Sequence, residues 1–385
     1  KVRKIKSKDP FSTIVVTGCG AQVDTEHFAS LAGVDLVVAN SHKGYLPQIL
    51  DQYFKGELPT KVFKDSIFRK EDLEVGGGIE AAHTRSFLKI QDGCNSFCTY
   101  CVIPFARGKS RSISKEILIQ KINHLHTAGV LEVVLTGVHI GDWQQSGLGL
   151  NDLGLEDLIE GILKETQMPR LRLTSLEPPE LTPRLLDLFS DARLCPHFHM
   201  SMQSANTETL ALMKRKYTQA EIVTSLERIN KRVPNDFVGM DIIVGFPTET
   251  QEQFEDTLSA LTHSPWTKIH VFPYSERPGT KAAKLENLVS DRQKRERSQV
   301  LRQLSLQRYN ALAKSQVGQT KEILVLGDHT GLSADYWNVE LGQLEGQSIA
   351  PLIGQLKLIG KLITVEIKEA LLNEKNEGHL IGLPM

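Results

Sequence analysis

Between residues 86 and 275, short apolar runs alternate with longer segments of helical period. Residues 86–90, 132–136, 170–175, 197–202, 237–246 and 268–275 have the length and the β-branched and aromatic content of strands. The segments between them carry helix signals: Thr182 and Pro183 as N-cap and first helical residue, Thr218 with Glu221 as a capping box, and Gly129 as the stop after 117–128. Six strands alternating with helices predict a parallel sheet. Right-handed crossovers curl it toward a partial (βα)6 TIM-like barrel, with chemistry at the C-terminal strand ends.

The pattern changes on both flanks. The triple glycine 76–78 reads as a linker and sets a boundary near residue 80. Residues 291–314 form one helical run with seven basic residues, namely Arg292, Lys294, Arg295, Arg297, Arg302, Arg308 and Lys314. Such a run is either a solvated helix face or an RNA-binding one. Beyond Gly318, the stretches 322–326, 336–341 and 356–369 alternate like strands, with a turn signal at Gly327-Asp328, and predict a small β-barrel. The expected domains are therefore 1–79, 80–314 and 315–385.

Composition narrows the classes. Of 385 residues, 40% are hydrophobic and 24% charged, which excludes disorder as the main state. Lys+Arg 45 against Asp+Glu 46 gives a net charge of −1, so a nucleic acid would have to be held by local patches. The most apolar stretch, 349–367, is broken by Gln355, Lys357 and Lys361, and the run 14–16 is too short for a signal-peptide core. A cytoplasmic protein without a membrane span is expected. Five cysteines make no disulfide scaffold.

Three of the five stand at C-x3-C-x2-C spacing, as Cys94, Cys98 and Cys101, directly after the first strand of the alternating region. A structural zinc site wants four closed ligands, and this loop supplies three. Three thiolates can hold three irons of a 4Fe-4S cluster and leave the fourth open, where S-adenosylmethionine can bind through its amino and carboxylate groups. A three-Cys zinc site completed from elsewhere is the alternative. Phe97 and Tyr100 would shield the cluster or approach an adenine ring, or serve as ordinary packing.

Residues 85–94 and 101–108, spanning Arg85 to Arg107 and Gly108, resemble the methylthiotransferases of the radical S-adenosylmethionine superfamily. Residues 135–141, 175–178, 202–204, 245–250 and 274–280 fit the same family in the same order, so the resemblance spans essentially the whole chain. Residues 135–141, 215–218 and 270–275 are most similar to the branch acting on threonylcarbamoyladenosine in tRNA. The rival within the family is the isopentenyladenosine branch. From another class, the rival is a noncatalytic RNA-binding protein stapled by a metal.

The resemblance and the strand-end rule together assign site residues. Gly245 would let an adenine edge approach the backbone, with Ile243 offering an apolar face beside it. Ser175, Glu177 and Gln203 lie past strand ends, placed to bond ribose hydroxyls or the methionyl amine, or to stabilise their loops. His139, His197, His199 and His270 receive no catalytic role, and Cys195 reads as a buried structural thiol. Where the family usually has Pro and Gly around Gln203, this chain has Ser201 and Ala205.

Cys19, in 17–22, resembles one of three cysteines that in this family hold a second, auxiliary 4Fe-4S cluster carrying the sulfur. Residues 1–79 then correspond to the C-terminal part of the family's N-terminal domain. On that expectation, the 385 residues bind one cluster, cleave S-adenosylmethionine and need two further cysteines upstream to methylthiolate. The resemblance also implies a TRAM-like terminal barrel, tRNA as partner, and a small electron-donor protein. Arg292, Lys294, Arg295 and Arg297 are the expected RNA contacts, and Tyr336 and Trp337 are either base-stacking residues or barrel core.

Overall fold

The computed structural model describes residues 1–70, 73, 84–146, 152–286, 288–327, 329–344, 347–348, 358–373 and 376–385. The triple glycine, the boundary near residue 80, Asp328 of the expected turn and the first two residues of the stretch 356–369 lie outside them.

After a short helix, Val2–Lys8, three strands run in parallel, β1 (Val15–Gly18), β2 (Leu36–Ala39) and β3 (Val62–Phe63), with β2 central. All four β2 residues are buried because both faces of a parallel sheet are covered. Val37 packs with Ala21 of helix α1 (Cys19–Val23) on one side, and Leu36 and Val38 with Ile49 of α2 (Leu46–Lys55) on the other.

The central region forms the expected curved parallel sheet. Its first three strands, β4 (Ser86–Lys89), β5 (Glu132–Thr136) and β6 (Arg170–Leu173), pair in that order, as do β7 (His197–Gln203), β8 (Phe237–Val244) and β9 (Lys268–Pro273). Parallel bridges Leu171↔Leu194 and Leu176↔Met200 join the halves. Thr182 caps its helix by accepting from the Leu185 N–H, and Thr218 with Glu221 forms the capping box.

A long helix, α3 (Asp291–Lys314), follows, and it departs from a uniformly solvated basic run. Lys294 and Arg297 are buried on the stripe that continues through Ser298, Leu301, Ser305 and Tyr309. Arg297 pairs with buried Glu249 at 2.6 Å and lies over the Phe254 ring. Lys294 packs its stem against Gly245. The expectation that Lys294 and Arg297 meet RNA is therefore corrected, because their charged groups are used inside the fold. Arg308 likewise donates to the Ser264 and Thr262 carbonyls and covers Trp266.

The chain ends in a closed five-stranded barrel of β10 (Thr320–Gly327), β11 (Thr330–Ser333), β12 (Asn338–Leu341), β13 (Leu362–Leu372) and β14 (Gly378–Pro384), in the order β10-β11-β12-β14-β13. Trp337 is barrel core, stacked on Tyr309 of α3. Tyr336 stacks on buried His197 at 3.8 Å between centroids, beneath the Arg172 guanidinium. Both aromatic rings are thus spent in packing.

Buried charges join barrel and sheet. Glu132, fully buried, holds Arg172 at 3.2 Å, Arg85 at 3.3 Å and Arg170 at 3.8 Å. Arg170 also donates to the Leu332 and Glu322 carbonyls at 2.9 and 2.6 Å, and Arg172 to the Ala334 carbonyl at 3.0 Å.

Candidate cluster loop and substrate cavity

The thiol loop begins one turn past β4 and is clamped from several sides. Gln91 donates to the Gly93 carbonyl at 2.8 Å and accepts from the Val138 and His139 N–H groups at 3.0 Å each. Gly93 has φ +79, and a Cβ there would collide with the Lys109 carbonyl, so only glycine closes this turn. Thr99 bonds to the Leu212 and Met213 carbonyls, and its own carbonyl accepts from Ala282. Loops and helix ends that follow strands of both halves of the sheet therefore fix one short loop.

Donors converge on the three sulfurs. The Ser96 N–H points at Cys94 Sγ and the Ile103 N–H at Cys101 Sγ, both at 3.4 Å, while Arg215 reaches Cys98 Sγ at 3.3 Å. Burial raises the Cys94 thiol, but hydrogen bonds from His139 and Ser96 outweigh it and its pKa falls below the ordinary value. Burial pushes Cys101 up to about 11. A thiol that is costly to ionise alone, beside two others and N–H donors, fits a site completed by a positive iron centre. Cys94, His139 and Asp142 also bring ligand atoms within 4.8 Å of one another, but an ion held by that trio would leave Cys98 and Cys101 unused.

Of the assigned residues, Glu177 is tied to this loop through Arg215, and Ile243 through the cluster that holds Tyr100. Glu177 lies 3.0 Å from Arg215 and 3.5 Å from His139, and burial raises its pKa despite those cations. Tyr100 and Ile243 join one apolar cluster with Met213, Phe246, Tyr274 and Ala282 behind the loop. Gly245 has φ +70, and its N–H donates to Glu249 at 2.7 Å. The space its missing Cβ leaves is taken by Lys294, so both the backbone conformation and this contact require the glycine. Phe97, Ser175, Gln203, Lys214 and Thr248 are five of the eight non-glycine residues with positive φ among those described, and all lie at or in the segments after the C-terminal ends of the parallel strands. Strained backbone concentrates where chemistry is placed.

Three site residues escaped the sequence pattern. His139 contacts Glu177, Glu180 and Asp142; burial opposes its charge, yet hydrogen bonds with Asp142, Cys94 and Glu180 raise its pKa to about 12. Glu180 supports it, and Arg215 ties Cys98 to Glu177 and to the Ser201 carbonyl. Only His139 lies just past a strand end, a signal that marks many loop residues equally, whereas Glu180 and Arg215 stand in or beyond short helices further on. Cys195 is fully buried, and His197 is buried and biased to the neutral form, as packing roles require.

Cys19 lies on the other side of the helix that follows the loop, Ile103–Arg107. Arg107 donates to Cys19 Sγ at 3.1 Å and faces Asp92 at 3.4 Å. Beside them opens a cavity of about 820 Å³ whose walls include Gln22 of α1, Lys64, Phe68, Val102, Phe105 and Gly279. Phe68, Phe97 and Phe105 form an aromatic wall with centroids 6.0 to 6.4 Å apart. This space adjoins both the three-thiol loop and the helix that begins with Cys19.

Residues 88–261 match the Radical SAM superfamily. The chain is 36% identical over 370 residues to a threonylcarbamoyladenosine tRNA methylthiotransferase of Aquifex aeolicus, covering 95% of this chain and 86% of that one. It is 32% identical over 377 residues to the Bacillus subtilis enzyme of the same name, covering 96% and 81%. A tRNA-2-methylthio-N(6)-dimethylallyladenosine synthase of Staphylococcus epidermidis is 33% identical over 375 residues, covering 96% and 71%. Among solved structures, the radical S-adenosylmethionine methyltransferase TsrM of Kitasatospora setae shares the fold with a TM-score of 0.56 at 15% identity, over 73% of this chain and 61% of that one. With a three-thiol loop on the matched sheet and full-length relatives of one chemistry, the chain belongs to the radical S-adenosylmethionine methylthiotransferase family.

Proposed function

We propose that this enzyme adds a methylthio group to C2 of threonylcarbamoyladenosine beside the tRNA anticodon. The observation that carries the reading is the cavity lined on one side by Val102 and Phe105, directly after Cys101 of the thiol loop, and on the other by Gln22 and Val23 of the helix that begins with Cys19. Cys94, Cys98 and Cys101 would hold a 4Fe-4S cluster, which supplies one electron to the sulfonium of S-adenosylmethionine. Arg215 and the carboxylates Glu177 and Glu180 line the loop with charge of both signs, suited to an amino and a carboxylate group. The apolar cluster behind Tyr100 and Ile243 excludes water from that side.

Cys19 is one ligand of the second cluster in this proposal. One thiolate does not hold a cubane, so Cys19 serves as one of several ligands. A small electron-donor protein supplies the electron, and the terminal barrel contributes to tRNA binding.

The cavity carries a clue to the nucleoside. Of its charged lining residues, Asp65 faces His42 at 3.6 Å, Asp24 stands at the N-cap position of a short helix without a side-chain cap bond, and Lys64 has no side-chain partner among the described residues. A threonylcarbamoyl group ends in a carboxylate that Lys64 can pair, whereas a dimethylallyl group is apolar and suits only the phenylalanine wall. Lys64→Ala should raise KM for RNA bearing threonylcarbamoyladenosine about tenfold, the worth of one charge-assisted contact. Cleavage of S-adenosylmethionine without RNA should be unchanged. An unaltered KM would remove the argument for the carboxylate.

A further inference from the structure

The basic helix α3 is not an even electrostatic surface. Once Lys294, Arg297 and Arg308 are withdrawn into the fold, what remains exposed separates into two kinds. Arg292 is neutralised by Glu296 at 2.7 Å. Arg295 has no hydrogen bond or ion pair among the described residues, and Arg302 makes one, to the Val271 carbonyl at 3.1 Å. A guanidinium has five N–H donors, so both side chains keep most of theirs.

These two arginines line a surface pocket of about 400 Å³ together with Ser298, Gln299, Gln303 and Pro273. The spacing 295, 298/299, 302/303 puts them on one helical face, one and two turns apart. Ser298 is buried, and its hydroxyl has no partner among the described residues. The Gln299 and Gln303 amides are likewise without partners there, and no described carboxylate lines the pocket. Pro273 closes β9, so the pocket opens at the same end of the sheet as the thiol loop. Exposed Phe272 stands next to it.

Two guanidinium groups and two amides, with Leu306 and Pro273 but no acid beside them, make a site for a tetrahedral oxyanion. We propose that this pocket binds one backbone phosphate of the RNA substrate, and so positions the anticodon arm relative to the cavity. The proposal rests on the reading that the substrate is RNA. Arginine forks match phosphate geometry, and a phosphate bound here fixes register without reading sequence.

The test is binding of a fluorescent anticodon stem-loop RNA to the purified protein over a series of salt concentrations. Arg295→Ala with Arg302→Ala should lower the log-log salt slope by about 0.7 to 0.9, the loss of one phosphate contact. Gln299→Glu, which places a carboxylate in the pocket without touching the core face, should weaken binding in the same direction, and Arg295→Lys should keep the slope. S-adenosylmethionine cleavage in the absence of RNA should be unaffected in all of them. An unchanged slope in the double variant and in Gln299→Glu overturns the proposal while leaving the RNA reading intact. Failure of the unaltered protein to bind the RNA overturns both. Protection of the pocket by inorganic phosphate with RNA affinity unmoved in the variants would assign it to free anions and also overturn it.

Discussion

Replacing any one of Cys94, Cys98 and Cys101 with Ala is expected to abolish reductive cleavage of S-adenosylmethionine. Each sulfur takes one iron of a site-differentiated cluster, and two remaining thiolates do not retain a cubane that normally takes three or four protein ligands. The N–H donors from Ser96 and Ile103 and the Arg215 guanidinium are each aimed at a different sulfur, so no member of the trio is spare. Cys195→Ala should leave cleavage intact, since that thiol is fully buried away from the loop. Anaerobic iron and sulfide analysis of the 385-residue chain should find about four irons, one cubane. Zinc without sulfide would support a metal-stapled RNA binder instead. A variant lacking all three loop thiols that still forms 5′-deoxyadenosine would contradict the assignment.

Glu132→Ala should be among the most damaging substitutions for stability, at about 3 to 5 kcal/mol, the cost of stranding buried cations. Arg172 and Arg170 are almost wholly buried, and with Glu132 removed they keep only neutral carbonyls and, for Arg170, half-exposed Glu322. Because the same arginines grip the terminal barrel, loosening should spread to β10 and β11. Urea unfolding of the variant measures the loss, and a change under 1 kcal/mol would show that the network is not holding the parts together. Burial raises the Glu132 carboxyl, but Arg172, Arg85 and Arg170 hold it below its ordinary value of 4.5. Its stabilising contribution is therefore complete above that value and is lost as pH falls through the lower folded pKa.

Much of this was legible along the chain, for physical reasons that can be named. Strands buried on both faces must be nearly continuous apolar runs, and the six strand positions follow from that. The cap residues Thr182, Thr218 and Ser290 act within one helical turn, so they need no tertiary information. The thiol spacing is local in the same sense. Long-range partnership was not legible. Nothing near Lys294 or Arg297 in the sequence reveals Gly245 or Glu249, so counting charges placed both on the surface. The stripe 294, 298, 301, 305, 309 was a visible clue that this face is buried, but its first member is a lysine, and hydropathy hides it. His139 and Arg215 were missed because each gains its role from residues about forty positions away or more, namely Glu180 for one and Glu177 and Cys98 for the other. Tyr336 and Trp337 could be resolved only by the contacts with His197 and Tyr309.

The function rests most directly on which nucleoside loses its methylthio group when the gene is disrupted. Mass spectrometry of nucleosides from total tRNA should then show 2-methylthio-threonylcarbamoyladenosine gone and threonylcarbamoyladenosine accumulating, with the dimethylallyladenosine derivative unchanged. Loss of the dimethylallyladenosine derivative instead, with the threonylcarbamoyl one intact, would contradict the account.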